Sequence, residues 1–186
     1  MDAEEYPVRR TEALRQERGS HPGAVYFVTF VTSERQPWLA APRTRDVFLA
    51  VLRAWHAEKN GRILAAVAMP DHAHILFELG GLLTVGQTMA RWKSGIRRGA
   101  GYAETFQRDF WEHRLRDPKE TEDYALYIFL NPYRARLIGP DQSWPGWWAP
   151  DPGLFEFTRR LSPAGGPPAE WVEWPDAKFA GLAHGE

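Results

Sequence analysis

The chain has 186 residues, 44% of them hydrophobic and 25% charged, with a formal net charge of −1, the make-up of one folded domain with some decoration rather than of a disordered chain. It contains no cysteine, which excludes disulfides, thiolate zinc sites, iron–sulfur clusters and a cysteine nucleophile together. The apolar runs fall far short of the ~20 residues that cross a bilayer, and the opening MDAEEYPVRR has no apolar stretch of the kind a signal peptide needs, so a cytoplasmic address with no membrane contact is expected.

Residues 1–23 are polar and read as a loose arm. VYFVTFVT (25–32), rich in β-branched and aromatic residues, reads as a strand. A helix is predicted over Arg43–Asn60, where Val47, Leu52 and Trp55 form an apolar stripe and Asn60-Gly61 ends it. Two strands follow, Arg62–Met69 and His72–Leu79, joined at Pro70-Asp71. Thr84–Arg98 repeats the helical spacing with Val85, Met89, Trp92 and Ile96, and Phe106–Leu115 is a short fourth strand. Asp117-Pro118-Lys119-Glu120 carries the signals of a helix start, and the residue before Pro132 is pushed out of helical geometry, which predicts an end near Asn131. Beyond about residue 138 the composition changes: eight of the fifteen prolines and five of the nine tryptophans lie there. That tail is expected to be irregular and to pack its tryptophans on the body. The order strand–helix–strand–strand–helix–strand, with one more helix, fits an α+β, ferredoxin-like split βαβ plan with an antiparallel sheet. The expected division is an arm (1–23), a domain (24–140) and an acidic Trp/Pro-rich tail (141–186).

Charge is uneven. Residues 1–140 carry 20 Lys+Arg against 17 Asp+Glu, and residues 141–186 carry three against seven. Seven basic residues against three acidic ones fall within 91–116, a pattern that fits either a polyanion footprint or a solvated helix face.

The chemistry is concentrated in MPDHAHILFEL (69–79). Strand alternation puts His72, His74, Leu76 and Glu78 on one face and Ala73, Ile75, Phe77 and Leu79 on the other. The second set is apolar throughout and is expected to lie on the two helices, leaving the histidines on the less buried face. Imidazoles two apart on a strand can share a divalent metal, and the pattern also fits two ordinary histidines near a strand end. In the following helix Tyr127 and Asn131 are four apart, on one face. A tyrosine hydroxyl is a possible nucleophile beside a metal and an asparagine carbonyl a possible hard ligand; a core tyrosine and a helix cap fit equally.

VYFVTFVT, MPDHAHILFEL, DFWEHRLRD and YALYIFLNPYRARLI, in this order and spacing, resemble the single-tyrosine HUH transposases, and within them the REP-associated tyrosine transposases, over about residues 24–140. The resemblance implies cleavage and rejoining of single-stranded DNA, often beside a hairpin, through a 5′-phosphotyrosine. It implies that His72 and His74 are metal ligands for magnesium or manganese, that Asn131 completes the shell and that Tyr127 is the nucleophile, with Tyr124 and Tyr133 as second choices. Lys93, Arg97, Arg98, Arg114 and Arg116 are the expected phosphate contacts, with His113 nearby. Single-stranded or hairpin DNA is the implied partner, no small-molecule cofactor is expected, and the protein would act as a monomer or homodimer. Two features depart from the family: the near-neutral charge, and Arg136 where many relatives have glycine. The competing readings are a catalytically silent protein that binds structured DNA, and a metallohydrolase with no covalent step.

Overall fold

Strand β1 (Val25–Val31) runs antiparallel between β3 (His72–Leu79) and β4 (Trp111–Arg114) in the computed structural model, which describes residues 19–101 and 105–182. Most of the expected N-terminal arm, residues 1–18, lies outside them. Strand β2 (Gly61–Ala68) flanks β3, and a two-residue strand β5 (Trp147–Trp148) from the tail closes the β2 edge, giving the order β4-β1-β3-β2-β5. Less the tail strand, this is the sheet of the expected βαββαβ plan.

The crossover helices α1 (Pro42–Ala57) and α2 (Val85–Ala100) cover one face. Thr84 and Gln87 form a reciprocal capping box at the start of α2, and Gly101, at φ 106°, ends it. Val28, Phe30, Ile75 and Phe77 of the sheet meet Phe48, Leu52, Trp55, Met89, Trp92 and Ile96 in a first core. This is the face that strand alternation assigns to the apolar set of β3.

The opposite face is buried as well, contrary to the expectation from sequence. Helix α3 (Glu120–Arg134) and the tail lie across it, joining Phe27, Leu64, Val67 and Leu76 to Ile128, Phe129, Tyr133, Phe155 and Phe157 in a second core. Three layers result, and the histidine face is an interior one. Within the tail, a short helix α4 (Ala169–Val172) and several 3-10 turns carry the tryptophans onto the body. Trp144 Nε1 donates to the Ala68 carbonyl at 2.9 Å, and the Trp147 ring meets Phe129 edge-on.

Element ends differ from expectation in three places. The fourth strand is only Trp111–Arg114; Phe106 instead makes an isolated bridge to Thr32. Asp117 closes a turn by accepting from the Lys119 N–H at 2.9 Å, and the helix begins after it, at Glu120. Helix α3 also continues through Pro132 to Arg134. A proline inside a helix forfeits its own N–H bond, but the Ala135 N–H still reaches the Asn131 carbonyl at 2.9 Å, and Pro132 and Tyr133 are buried in the second core. That burial offsets the lost bond. Among the described residues no helix is long and apolar enough to cross a membrane.

Candidate active site

The register of β1 on β3 places Thr29 opposite His74 and Val31 opposite His72. Helix α3 crosses above, so side chains some fifty positions apart meet. The His72 and His74 rings are 4.7 Å apart between centroids; the Tyr127 ring is 5.4 Å from His74; Asn131 Nδ2 lies 3.1 Å from His74 Nε2. Phe27 stacks on His74 at 5.4 Å and meets Tyr127 edge-on. His72, His74 and Tyr127 are respectively 8%, 0% and 4% exposed, so this is an enclosed site. A cavity of about 620 Å³ opens beside it, bounded by Tyr127, Asn131 and Arg134 of α3 and by Trp174, Asp176 and Phe179 of the tail.

Both imidazoles are held from their Nδ1 side. His72 Nδ1 is 2.6 Å from Asp71 Oδ1. A carboxylate only accepts, so Nδ1–H donates, and in the neutral ring Nε2 keeps its lone pair. That Nε2 is buried with no hydrogen-bond partner. His74 accepts at Nε2 from the Asn131 amide, so its Nδ1–H donates to Thr29 Oγ1 at 2.8 Å. Burial alone would raise the Asp71 carboxyl, but the hydrogen bonds from His72 and Arg35, with the Arg35 charge, outweigh it and hold the group below its usual range.

A buried, unpartnered imidazole nitrogen is costly unless something binds it. Two imidazole nitrogens and an amide oxygen are a donor set for a divalent ion of intermediate hardness. Among the described residues no cluster of three histidine or carboxylate side chains is available. Asn131 places its Nδ2 on His74 Nε2, and turning that amide over would free this nitrogen and present Oδ1 beside it; with the amide so turned, the residues present fit a divalent metal.

The other tyrosines are engaged elsewhere. Tyr124 lies against Phe27 and His113, and burial, then the charge of Glu120, pushes its hydroxyl up to about 12. Tyr133 donates to the Gln142 carbonyl at 2.9 Å and accepts from the Trp144 N–H at 3.3 Å; burial raises it despite that second bond.

The expected phosphate contacts are not one cluster. Lys93 Nζ donates into the 107–109 loop, 2.8 Å from the Gln107 carbonyl and 3.0 Å from that of Asp109, between the rings of Phe30 and Phe110. Burial pushes its ammonium down to about 8, against the opposing charge of Asp109. Arg97 shares a shallow groove with Lys93 and Arg108. Arg98 is exposed near the end of α2, Arg114 is half-buried on the edge strand β4, and Arg116 is exposed just beyond it. His113 Nε2 meets Glu120 Oε2 at 3.3 Å.

Thr29, Asp71 and Arg35 escaped the sequence reading. Asp71 carried a signal in standing next to His72; Thr29 became visible only through the strand register. Arg134, three residues past Asn131, could have been placed near the site from helical spacing.

Residues 21–114, just over half of the chain, match the family model described as "Transposase IS200 like". The chain belongs to this transposase family. Among curated proteins it is 24% identical to the REP-associated tyrosine transposase of Escherichia coli (strain K12) over 128 residues, covering 66% of this chain and 74% of that one. It is 22% identical to the putative REP-associated tyrosine transposase of Haemophilus influenzae over 174 residues, covering 86% and 93%. Among solved structures, a REP-associated tyrosine transposase bound to a REP hairpin shares the fold with a TM-score of 0.60, at 21% identity, over 86% of this chain and 89% of that one. The chain thus resembles the REP-associated group along most of its length.

Proposed function

We propose that this protein is a metal-dependent endonuclease and strand transferase for single-stranded DNA, working through a 5′-phosphotyrosine on Tyr127 at hairpin DNA of the REP kind. The observation that carries the reading is the meeting of Tyr127 with a histidine pair in which His72 Nε2 is buried and unpartnered. The REP-associated relatives, and the hairpin bound in the similar structure, support the choice of substrate.

A divalent ion, magnesium or manganese, would be held by His72, His74 and Asn131 and, when bound, supplies charge neutralisation and orientation at the scissile phosphate. Tyr127 Oη attacks phosphorus. The tyrosyl P–O bond forms as the bond to the 3′ oxygen breaks; the phenol loses its proton and the leaving oxygen takes one up. The phosphotyrosine conserves the ester bond, so attack by another 3′-hydroxyl rejoins DNA without a nucleotide cofactor. Phe27 and Phe179 wall the Tyr127 ring and limit water at the ester. Tyr127 meets His74 of its own chain, which supports action as a monomer.

The test is incubation with a hairpin-bearing oligonucleotide and Mn2+. An SDS-resistant protein–DNA adduct is expected, lost with EDTA and in Tyr127→Phe. Tight binding with no adduct under any divalent ion would instead make this a silent DNA-binding protein. Cleavage that survives Tyr127→Phe would make it a metallohydrolase.

A further inference from the structure

Arg35 and Asp71 lie outside the ligand set, yet the structure spends strain to hold them. Glu34 and Arg35 are consecutive non-glycine residues at φ 53° and 52°, a left-handed conformation that is unfavourable for an L-residue and persists where the surroundings enforce it. Here they do. The Thr32 N–H donates to the Asp71 carbonyl at 2.8 Å, the Thr32 hydroxyl lies 2.9 Å from that same oxygen, and the Leu39 N–H donates to the Pro70 carbonyl at 2.9 Å. The 32–39 loop is thereby fastened along the β2–β3 turn. The kink brings Arg35 Nη1 to 2.8 Å from Asp71 Oδ2, while Asp71 Oδ1 takes the His72 Nδ1–H at 2.6 Å.

We infer that Arg35 and Asp71 are positioning residues for the metal site: Arg35 fixes the Asp71 carboxylate, and Asp71 fixes the ring and tautomer of His72 so that a bare Nε2 faces the ion. The inference rests on the metal-dependent reading above. It follows from the chemistry of the ring: a ligating nitrogen must carry no proton, and the hydrogen bond made by the other nitrogen decides which one does. The two histidines are therefore unequal, since His74 is held by the neutral hydroxyl of Thr29 and His72 by a carboxylate. A carboxylate partner makes His72 the stronger donor.

The experiment is Mn2+ titration of the full chain followed by EPR, with long-range 1H–15N NMR of the His72 ring in the metal-free protein. Asp71→Ala is expected to weaken Mn2+ binding about ten- to hundredfold and to move the His72 proton from Nδ1 to Nε2. Asp71→Asn, which keeps an acceptor oxygen, should recover most of the affinity and the Nδ1–H form. Arg35→Gln, at a half-exposed side chain that leaves the fold intact, should weaken binding a few-fold. Wild-type affinity and an unchanged tautomer in folded Asp71→Ala, or in Arg35→Gln together with Asp71→Asn should Asp71→Ala not fold, would overturn this inference alone. A wild type that binds no Mn2+ would overturn the metal reading and this inference with it.

Discussion

Tyr127 meets His74 edge-on, with ring planes 61° apart and centroids separated by 5.4 Å. Neither neighbouring tyrosine shares this contact among the described ring pairs: Tyr124 packs against Phe27 and His113, and Tyr133 reaches into the tail. Position along α3 therefore favours Tyr127 in the proposed reaction, while burial pushes the Tyr124 and Tyr133 hydroxyls towards the neutral form. Tyr124→Phe and Tyr133→Phe are expected to keep covalent adduct formation within about threefold of wild type on a denaturing gel. Tyr133→Phe should in addition cost about 1–2 kcal/mol in urea unfolding, because it leaves the Gln142 carbonyl and Trp144 N–H without their partner.

Arg136 follows the end of α3 at φ 56°, with its N–H on the Tyr133 carbonyl and the Leu137 N–H on that of Pro132. This is the left-handed position after a helix end, where glycine is favoured. Here arginine holds the turn and bears the strain. Arg136→Gly relieves about 1–2 kcal/mol of left-handed strain and gives back about 0.4–1 kcal/mol through the freer unfolded chain. A net gain of about 0.5–1 kcal/mol in the urea midpoint free energy is expected. A loss would mean that the Arg136 side chain makes a contact outweighing its backbone.

Periodicity carried much of this architecture. Alternation in β3 separated His72 and His74 from Ala73, Ile75 and Phe77, and the i, i+4 spacing put Tyr127 with Asn131. What periodicity could not supply was the third layer. The histidines read as lying on the less buried face because no local pattern says that α3 and the tail return over them; that depends on contacts between residues as distant as Leu64 and Phe155. Proline made the same point at Pro132, where a local rule yielded to burial. The partners of the imidazole Nδ1 atoms divide likewise: Asp71 is a sequence neighbour, whereas Thr29 is 45 positions from His74 and depends on register.

Trp144 ties the tail to the sheet. Its indole N–H is on the Ala68 carbonyl, its backbone N–H is on the Tyr133 hydroxyl, and its ring packs at the margin of the second core. Trp144→Ala is expected to lower stability by about 2–3 kcal/mol, somewhat less than truncation of a fully buried tryptophan because this ring is half-buried. The tail and sheet should still unfold in one transition, by tryptophan fluorescence and by circular dichroism. Two separated transitions would show that the tail is an independent attachment.

Lys93 gives the fold a pH dependence of definite sign. In the unfolded chain its ammonium titrates near 10.5, and in the fold near 8, lowered by burial against the opposing charge of Asp109. Below about pH 8 both states hold the proton, and the folded state carries the whole cost of desolvating it. Between about 8 and 10.5 the unfolded chain binds more protons than the folded one, so the contribution of this site to stability rises with pH and levels off above that window. The neutral amine keeps two N–H donors, enough for the Gln107 and Asp109 carbonyls that anchor the loop. Urea unfolding of wild type and Lys93→Met at pH 7, 9 and 10 isolates this contribution from other titrating groups. The difference between them should move in favour of wild type as pH rises. A difference that moves the other way would mean that the loop carbonyls hold the lysine in its charged form.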